Sequence, residues 1–161
     1  MQKIVPMTKN YASEYIGWEY EPPFDFYNIP KERHEEELQE ILSVEPPAAW
    51  FAVLDSDGSM AGFFEFSFNE VNELEIGLGL RPDLTGRGLG LEFVKLGISK
   101  ALQVYPDYKG DMVLRVLDTN ERAVKVYERA GFMEYKRTDF VSYGKPVIFI
   151  CMRRGMESAA L

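Results

Sequence analysis

Three glycines alternate along Thr85-Gly86-Arg87-Gly88-Leu89-Gly90-Leu91 and open an apolar helical pattern. A glycine-rich turn that opens a helix aims several main-chain N–H groups at one point, where the helix dipole favours an anion. The N–H groups of Arg87 to Leu91 are the orphan donors of that helix, and a pyrophosphate is their natural acceptor. The glycines could also serve turn geometry alone, yet three in alternation ahead of a helix favour the anion site. The spacing is Gly-x-Gly-x-Gly, unlike the dinucleotide Gly-x-Gly-x-x-Gly, and no P-loop Gly-Lys-Ser/Thr occurs. Thirty residues on, Asn120-Glu121-Arg122-Ala123 leads to Tyr127 and Ala130-Gly131-Phe132, which puts a phenol on a second helix. The two stretches imply a phosphate-bearing cofactor with proton chemistry beside it.

The elements that must carry these groups alternate between period 2 and period 3.6. Lys3–Val5 reads as a strand, and Thr8 as the cap of a helix bearing Tyr11, Tyr15 and Ile16. A proline- and aromatic-rich loop spans Tyr20–Pro30, and Lys31–Leu42 is a charged helix with a stripe at Leu38, Ile41 and Leu42. Ala49–Leu54 and Met60–Phe68 form a hairpin around Asp55-Ser56-Asp57-Gly58. In Glu73–Leu80, the residues Leu74, Ile76, Leu78 and Leu80 share one face, and Glu73, Glu75, Gly77 and Gly79 the other. Gly88–Val104 follows as a helix, Met112–Leu117 as a strand, and Glu121–Ala130 as a helix stopped by Gly131. Met133–Tyr143 and Val147–Met152 are strands around Gly144-Lys145-Pro146. The order βααβββαβαββ predicts a mixed α/β sheet flanked by helices. Residues 1–153 are expected to form one domain, with 154–161 a polar tail.

Composition narrows the partners. The net charge of −8, from 26 acidic and 18 basic residues, argues against a nucleic-acid binder, which needs a cationic face. It mildly favours a cationic partner such as an amine. One cysteine, Cys151, and one histidine, His34, exclude an internal disulfide and make a cysteine or histidine metal cluster implausible, so no metal is expected. Apolar runs stop well short of a membrane span and no signal-peptide core is visible, so the default expectation is a cytoplasmic protein. A homodimer is left open.

At its two motifs the chain resembles the GNAT superfamily of acyl-CoA N-acyltransferases. That family carries Arg/Gln-x-x-Gly-x-Gly/Ala at such a junction, matched by Thr85 to Gly90 except at the first position. It also carries Asn-x-x-Ala-x-x-x-Tyr-x-x-x-Gly-Phe, which Asn120, Ala123, Tyr127, Gly131 and Phe132 match in register. The resemblance implies a mostly antiparallel sheet splayed at a cofactor cleft, and acetyl-CoA as co-substrate. It implies that Leu78 and Leu80 offer backbone groups to the pantetheine arm, that Thr85 to Leu91 hold the pyrophosphate, and that Asn120, with Ala123, lies near the cofactor. Thr85 in place of Arg or Gln removes one side-chain contact and leaves the main-chain cradle.

Acetyl transfer to an amine needs a base, an oxyanion donor and an acid for the leaving thiolate. Tyr127 matches the family's usual general acid; a phenol with a pKa near ~10 is protonated at neutral pH. Glu75, directly or through water, is favoured over Glu73 as the base, against the plain alternative that both are solvated strand carboxylates. The Leu80 N–H is the oxyanion donor expected. Some relatives carry a glutamate in Leu-Glu-Val on the next strand, where this chain has Leu114-Arg115-Val116. Of the aromatics between Tyr11 and Tyr27, Trp18, Tyr20 and Phe24 are the candidates for an acceptor pocket, the rest being core. The glutamates around His34 read as a solvated helix face with His34 exposed, and Cys151 as a buried small hydrophobe. The expected activity is N-acetylation of a primary amine on a small molecule or peptide. A non-catalytic acyl-CoA-binding regulatory module is the alternative.

Overall fold

The computed structural model describes residues 3–155. Its strands and helices follow the expected order: β1 (Lys3–Pro6), α1 (Lys9–Ile16), α2 (His34–Leu42), β2 (Ala49–Leu54), β3 (Met60–Phe68), β4 (Leu74–Leu80), α3 (Gly90–Val104), β5 (Asp111–Leu117), α4 (Glu121–Arg129), β6 (Met133–Ser142) and β7 (Lys145–Gly155). One seven-stranded sheet has the order β1-β2-β3-β4-β5-β7-β6. β4 and β5 are parallel, as a strand–helix–strand crossover requires. The β1–β2, β2–β3, β5–β7 and β6–β7 pairs are antiparallel. The chain groups into two compact units, Met1–Ser67 with Leu78–Arg87 and Phe68–Gly77 with Gly88–Leu161, so β4 changes unit half-way along.

In the first unit Thr8 caps α1, its hydroxyl accepting from the Tyr11 N–H at 3.3 Å. Ala12 and Ile16 of α1 pack with Ile41 of α2. Trp18, Ala52, Leu54, Met60 and Phe63 form a second cluster, edged by Tyr15, Tyr20 and Trp50. The Asp55–Gly58 turn closes as expected: Gly58 has φ +83° and Asp57 accepts from the Ser59 N–H at 2.9 Å.

In the second unit Met112, Leu114 and Val116 of β5 register with Arg154, Met152 and Ile150 of β7, and all six are buried. Phe93, Val94, Ile98 and Ala101 of α3, with Phe132 after α4, are buried too and complete its apolar complement. The opposite face of the same strands holds Val113, Arg115 and Leu117 beside Arg153, Cys151 and Phe149. Cys151 is buried, as expected.

Local expectations shift at five places, the first being the helix expected from Gly88, which starts at Gly90 because Gly88, at φ +78°, still belongs to the turn. Residues Lys31–Arg33 form a 3₁₀ turn ahead of α2, so the helix proper starts at His34. His34 is half-buried rather than exposed, because its Nε2–H donates to the Ile29 carbonyl at 2.8 Å. The β6–β7 turn is Tyr143-Gly144, both at positive φ (47° and 80°), so β7 starts at Lys145 instead of Val147. At its far end β7 continues to Gly155 because β5 pairs with it throughout, Asp111 opposite Gly155, and buries Arg154. Of the tail expected over 154–161, residues 156–161 lie outside the described residues.

Gly79 is required sterically. A Cβ there would stand 2.6 Å from a ring carbon of Phe63, whose ring is hemmed in by Trp50 (centroids 5.3 Å) and Tyr15 (4.3 Å). Gly79→Ala is expected to destabilise the protein by about 1–3 kcal/mol, the usual cost of overpacking, read as a lower midpoint in chemical denaturation. An unchanged midpoint would show that the ring yields freely.

Candidate active site

The glycine turn is built in two steps. Arg81 first fixes the chain leaving β4: its Nε donates to Asp83 Oδ1 at 2.6 Å, its Nη2 to Asp83 Oδ2 at 3.1 Å and its Nη1 to the Met60 carbonyl at 2.9 Å. That pairing holds the Asp83 carboxyl below the usual carboxylate range. Pro82–Leu84 makes one 3₁₀ turn, and Thr85 folds back on it, its hydroxyl donating to the Pro82 carbonyl at 2.7 Å. Thr85 therefore spends its side chain on the turn itself. Gly86 and Gly88 follow at φ +71° and +78°, a conformation that costs other residues a Cβ clash. Gly86, Arg87 and Gly88 are exposed, and a Cβ on Gly88 would meet nothing within 4 Å.

The α3 helix that follows has no side-chain cap. Leu89 occupies the N-cap position and cannot accept a hydrogen bond through its side chain, whereas Thr8 caps α1 and Asn120 caps α4. The first amides of α3, like those of α2, thus lack the side-chain partner that α1 and α4 receive. Gly90 serves another purpose: a Cβ there would stand 3.3 Å from a methyl of Val126. The start of α3 therefore lies against α4, one residue from Tyr127.

Within the second unit, then, Gly90 and α4 come together. Asn120 accepts from the Ala123 N–H at 3.2 Å, so its carbonyl oxygen is the N-cap of α4. The Tyr127 ring meets Phe132 edge-on with centroids 6.1 Å apart. Glu75 is bound by Arg115, whose Nε donates to Oε1 at 2.8 Å. Glu73 is bound by Arg153 at 2.6 Å and by the Asn69 amide at 3.2 Å. Neither candidate base is a plain solvated carboxylate. In register, β4 pairs Leu74 with Met112 and Glu75 with Val113, and no later pair joins Ile76 or Gly77 to β5. Tyr108 pins the start of both strands, accepting from the Leu74 N–H at 3.1 Å and donating to the Asp111 carbonyl at 2.6 Å.

Within the first unit, Tyr20 and Leu80 are brought together: the phenol donates to the Leu80 carbonyl at 2.7 Å. The Asn28 side chain clamps Tyr20's backbone on both sides, accepting from its N–H at 2.6 Å and donating to its carbonyl at 3.2 Å. Burial, with a smaller contribution from Tyr27, pushes the Tyr20 hydroxyl well above the ordinary tyrosine range. Trp18, at 8% exposure, sits in the core against Phe63 and edge-on to Tyr15. Phe24 is half-buried at the start of the short 3₁₀ turn Asp25–Tyr27. Leu78 and Leu80 are half-buried, less covered than Leu74 and Ile76 earlier in the strand.

The sequence motifs did not reveal Arg81, Arg115, Arg153 or Tyr108. Arg115 carried a signal, a lone charge inside the apolar run of β5; the others become visible only through partners distant in the chain.

The sequence profile described as the Acetyltransferase (GNAT) family matches residues 12–132. The chain belongs to the GNAT acetyltransferase family. No curated protein matches the chain significantly. Among solved structures, the spermidine N-acetyltransferase chimera from Vibrio cholerae and hSSAT aligns with a TM-score of 0.78 at 16% identity, over 96% of this chain and 95% of that one. A GNAT superfamily phosphinothricin acetyltransferase from Sinorhizobium meliloti, in complex with acetyl-CoA, gives 0.70 at 13% identity, over 95% and 87%. Salmonella typhimurium yncA with its cofactor acetyl-CoA gives 0.69 at 15%, over 99% and 96%. At these identities the likeness is one of fold: a mixed sheet flanked by helices.

Tyr20→Phe is expected to leave the Leu80 carbonyl without its phenol partner and to cost roughly 1–2 kcal/mol. Because the folded-state pKa of Tyr20 is raised, its contribution is complete below the unfolded pKa of about 10 and is lost as pH climbs above that value. The stability gap between wild type and Tyr20→Phe in urea titrations should be constant from pH 6 to 9 and shrink beyond 10. A gap that widens at high pH would contradict the assignment.

Proposed function

We propose that this GNAT enzyme transfers the acetyl group of acetyl-CoA to a primary amine of a small molecule or peptide, directly, in a ternary complex. One observation supports it above all: the uncapped amides at the start of α3, preceded by two positive-φ glycines, of which Gly88 is open on its outer side. That arrangement fits a pyrophosphate by charge, by hydrogen bonding and by space, and a Cβ at Gly88 would occupy the approach. The acetyl-CoA in the Sinorhizobium meliloti and Salmonella typhimurium structures supports the same ligand.

Acetyl-CoA supplies an activated acyl group and a thiolate leaving group. The chain's residues would then divide the proton work. On this assignment the Arg87–Leu91 amides hold the diphosphate, and backbone groups of Leu78 and Leu80 line the pantetheine arm. Tyr127 donates its phenolic proton to the departing sulfur. Glu75, held in place by Arg115, takes a proton from the acceptor's ammonium, directly or through a water, so that the free amine can attack. Asn120 acts indirectly, because as the N-cap it fixes the helix that carries Tyr127. The chemistry requires no metal.

Tyr127→Phe is expected to lower kcat by about 10²-fold or more, within the usual range for removing a general acid, with acetyl-CoA affinity within about twofold of wild type. Unchanged turnover over a panel of amines, read as thiol release, would remove Tyr127 from the acid's role. Gly88→Val is expected to weaken acetyl-CoA binding by at least about tenfold in calorimetry, through filled space and strain at positive φ. Retained affinity in a folded variant would overturn the cradle. Tight acetyl-CoA binding with no turnover of any amine would leave a binding module.

A further inference from the structure

Away from the buried row of Met112, Leu114 and Val116, the second unit presents the other face of β5, β7 and β6. In register, Arg115 of β5 stands opposite Cys151 of β7, which stands opposite Lys136 of β6. We propose that this face anchors the carboxylate of an acceptor that carries both an amine and an acid group, with Arg115 as the anchor. The proposal rests on the amine-acetyltransferase function above and adds the second group that the acceptor must bear.

Arg115 is held along one edge and open along the other. Its Nε is engaged by Glu75, and its guanidinium carbon lies 5.5 Å from the centre of the Phe149 ring. Two such contacts fix the plane of the guanidinium. Its two terminal nitrogens have no partner among the described residues, and the side chain remains 50% exposed against 24% for Glu75. A planar donor pair of fixed direction fits a carboxylate.

Arg153, on the same face, serves as an internal comparison. Its guanidinium is bonded to Glu73, lies 3.5 Å from Asp111 and stacks 4.0 Å above the Tyr135 ring. That arginine has carboxylates on two sides and a ring against its face, although its buried Nε makes no hydrogen bond; Arg115 faces a single carboxylate. Lys136 adds a second cation without a carboxylate partner among the described residues, set two strands from Arg115 with the small Cys151 between them. In a chain of net charge −8, Lys136 beside an arginine whose one carboxylate leaves it donors to spare is a local feature and no overflow of basic residues.

Position ties the anchor to the reaction. Glu75, the proposed base, is the last residue of β4 in register with β5 among those of this unit, and Arg115 lies two residues beyond its partner Val113. A carboxylate on the terminal nitrogens of Arg115 would keep the acceptor's own amine close to the carboxylate already bound to Nε. Phe149 and Phe140, with ring centres 5.4 Å apart, offer an apolar side chain a floor, and Phe140 is 45% exposed. A polyamine brings only positive charge to Arg115 and Lys136 and is disfavoured there.

The test compares kcat/KM for leucine, phenylalanine and methionine with that for their carboxamides and for spermidine. Wild type is expected to prefer the acids by about tenfold or more, the worth of one charge-assisted hydrogen bond. Arg115→Gln should bring the acid-to-amide ratio near one, chiefly through KM, and Arg115→Lys should retain part of it. Calorimetry adds an arm that needs no turnover: affinity for the N-acetylated acids and N-acetylated amides in the presence of coenzyme A, in wild type and Arg115→Gln. A wild-type ratio near one, a preference for spermidine, or equal losses for acid and amide in Arg115→Gln would overturn the anchor while leaving the acetyltransferase activity intact. Arg115-dependent affinity for acids with no transfer to any amine would overturn the activity and uphold the anchor.

Discussion

The pinned start of the β4–β5 ladder is the constraint on which the second unit's share of the site depends. Among the described residues of the second unit, Leu74 and Glu75 of β4 register with Met112 and Val113 of β5, and β5 goes on pairing with β7 as far as Leu117 opposite Phe149. Main-chain polar groups released from a ladder must find other partners. At the end of β4 the Leu80 carbonyl accepts from the Tyr20 phenol. The parallel pair survives because its beginning is pinned: the Tyr108 hydroxyl bridges the Leu74 N–H and the Asp111 carbonyl, while Arg153 joins Glu73 to the neighbourhood of Asp111. A ladder of two pairs contributes little by itself. Side-chain clamps do what a longer run of strand hydrogen bonds would otherwise do.

The glycines of the central turn do three different jobs. Gly86 and Gly88 adopt positive φ, which reverses the chain ahead of α3. Gly88 also leaves space outside the turn, whereas Gly90 gives up its side chain to Val126 of α4. An uncapped helix start would ordinarily be a weakness, because α1 and α4 each gain a side-chain acceptor there. Its retention at α3 makes physical sense if the amides meet an anion for part of the working cycle. A side-chain cap in that place would compete with such a ligand.

Much of this was legible in the sequence. The clean alternation of Leu74 to Leu80, the turn residues Asp57-Gly58 and the apolar recurrence of α3 gave the element order, because each depends on near neighbours in the chain. The Thr8 cap and the Gly131 stop, at φ +94°, were legible for the same reason. Long-range pairing was not. Nothing near Tyr20 in sequence points to Leu80, sixty residues on, and nothing near Glu73 points to Arg153, eighty residues on. Trp18 looked like a pocket residue because it flanks prolines, yet a large ring beside a sheet gains more from burial against Phe63 and Tyr15. β7 ran past its expected end because Arg153 and Arg154 look polar locally, while the ladder to β5 holds both.

Arg115 brings these strands of argument to one residue. Where some relatives are expected to carry a glutamate in Leu-Glu-Val, this chain carries Leu114-Arg115-Val116, which reverses the sign of the charge at that point of β5. The reversal is answered on the adjacent strand, since Glu75 supplies the carboxylate and binds Arg115 through Nε. The pair thus keeps a negative group beside the parting strands but moves it from β5 to β4, and it adds a cation with donors to spare. On the proposed assignment, a base on β4 in place of β5 would change the direction from which an amine approaches. Under the proposed anchor, an acceptor of purely positive charge would meet repulsion at this point, whereas an amino acid would find both of its charged groups matched.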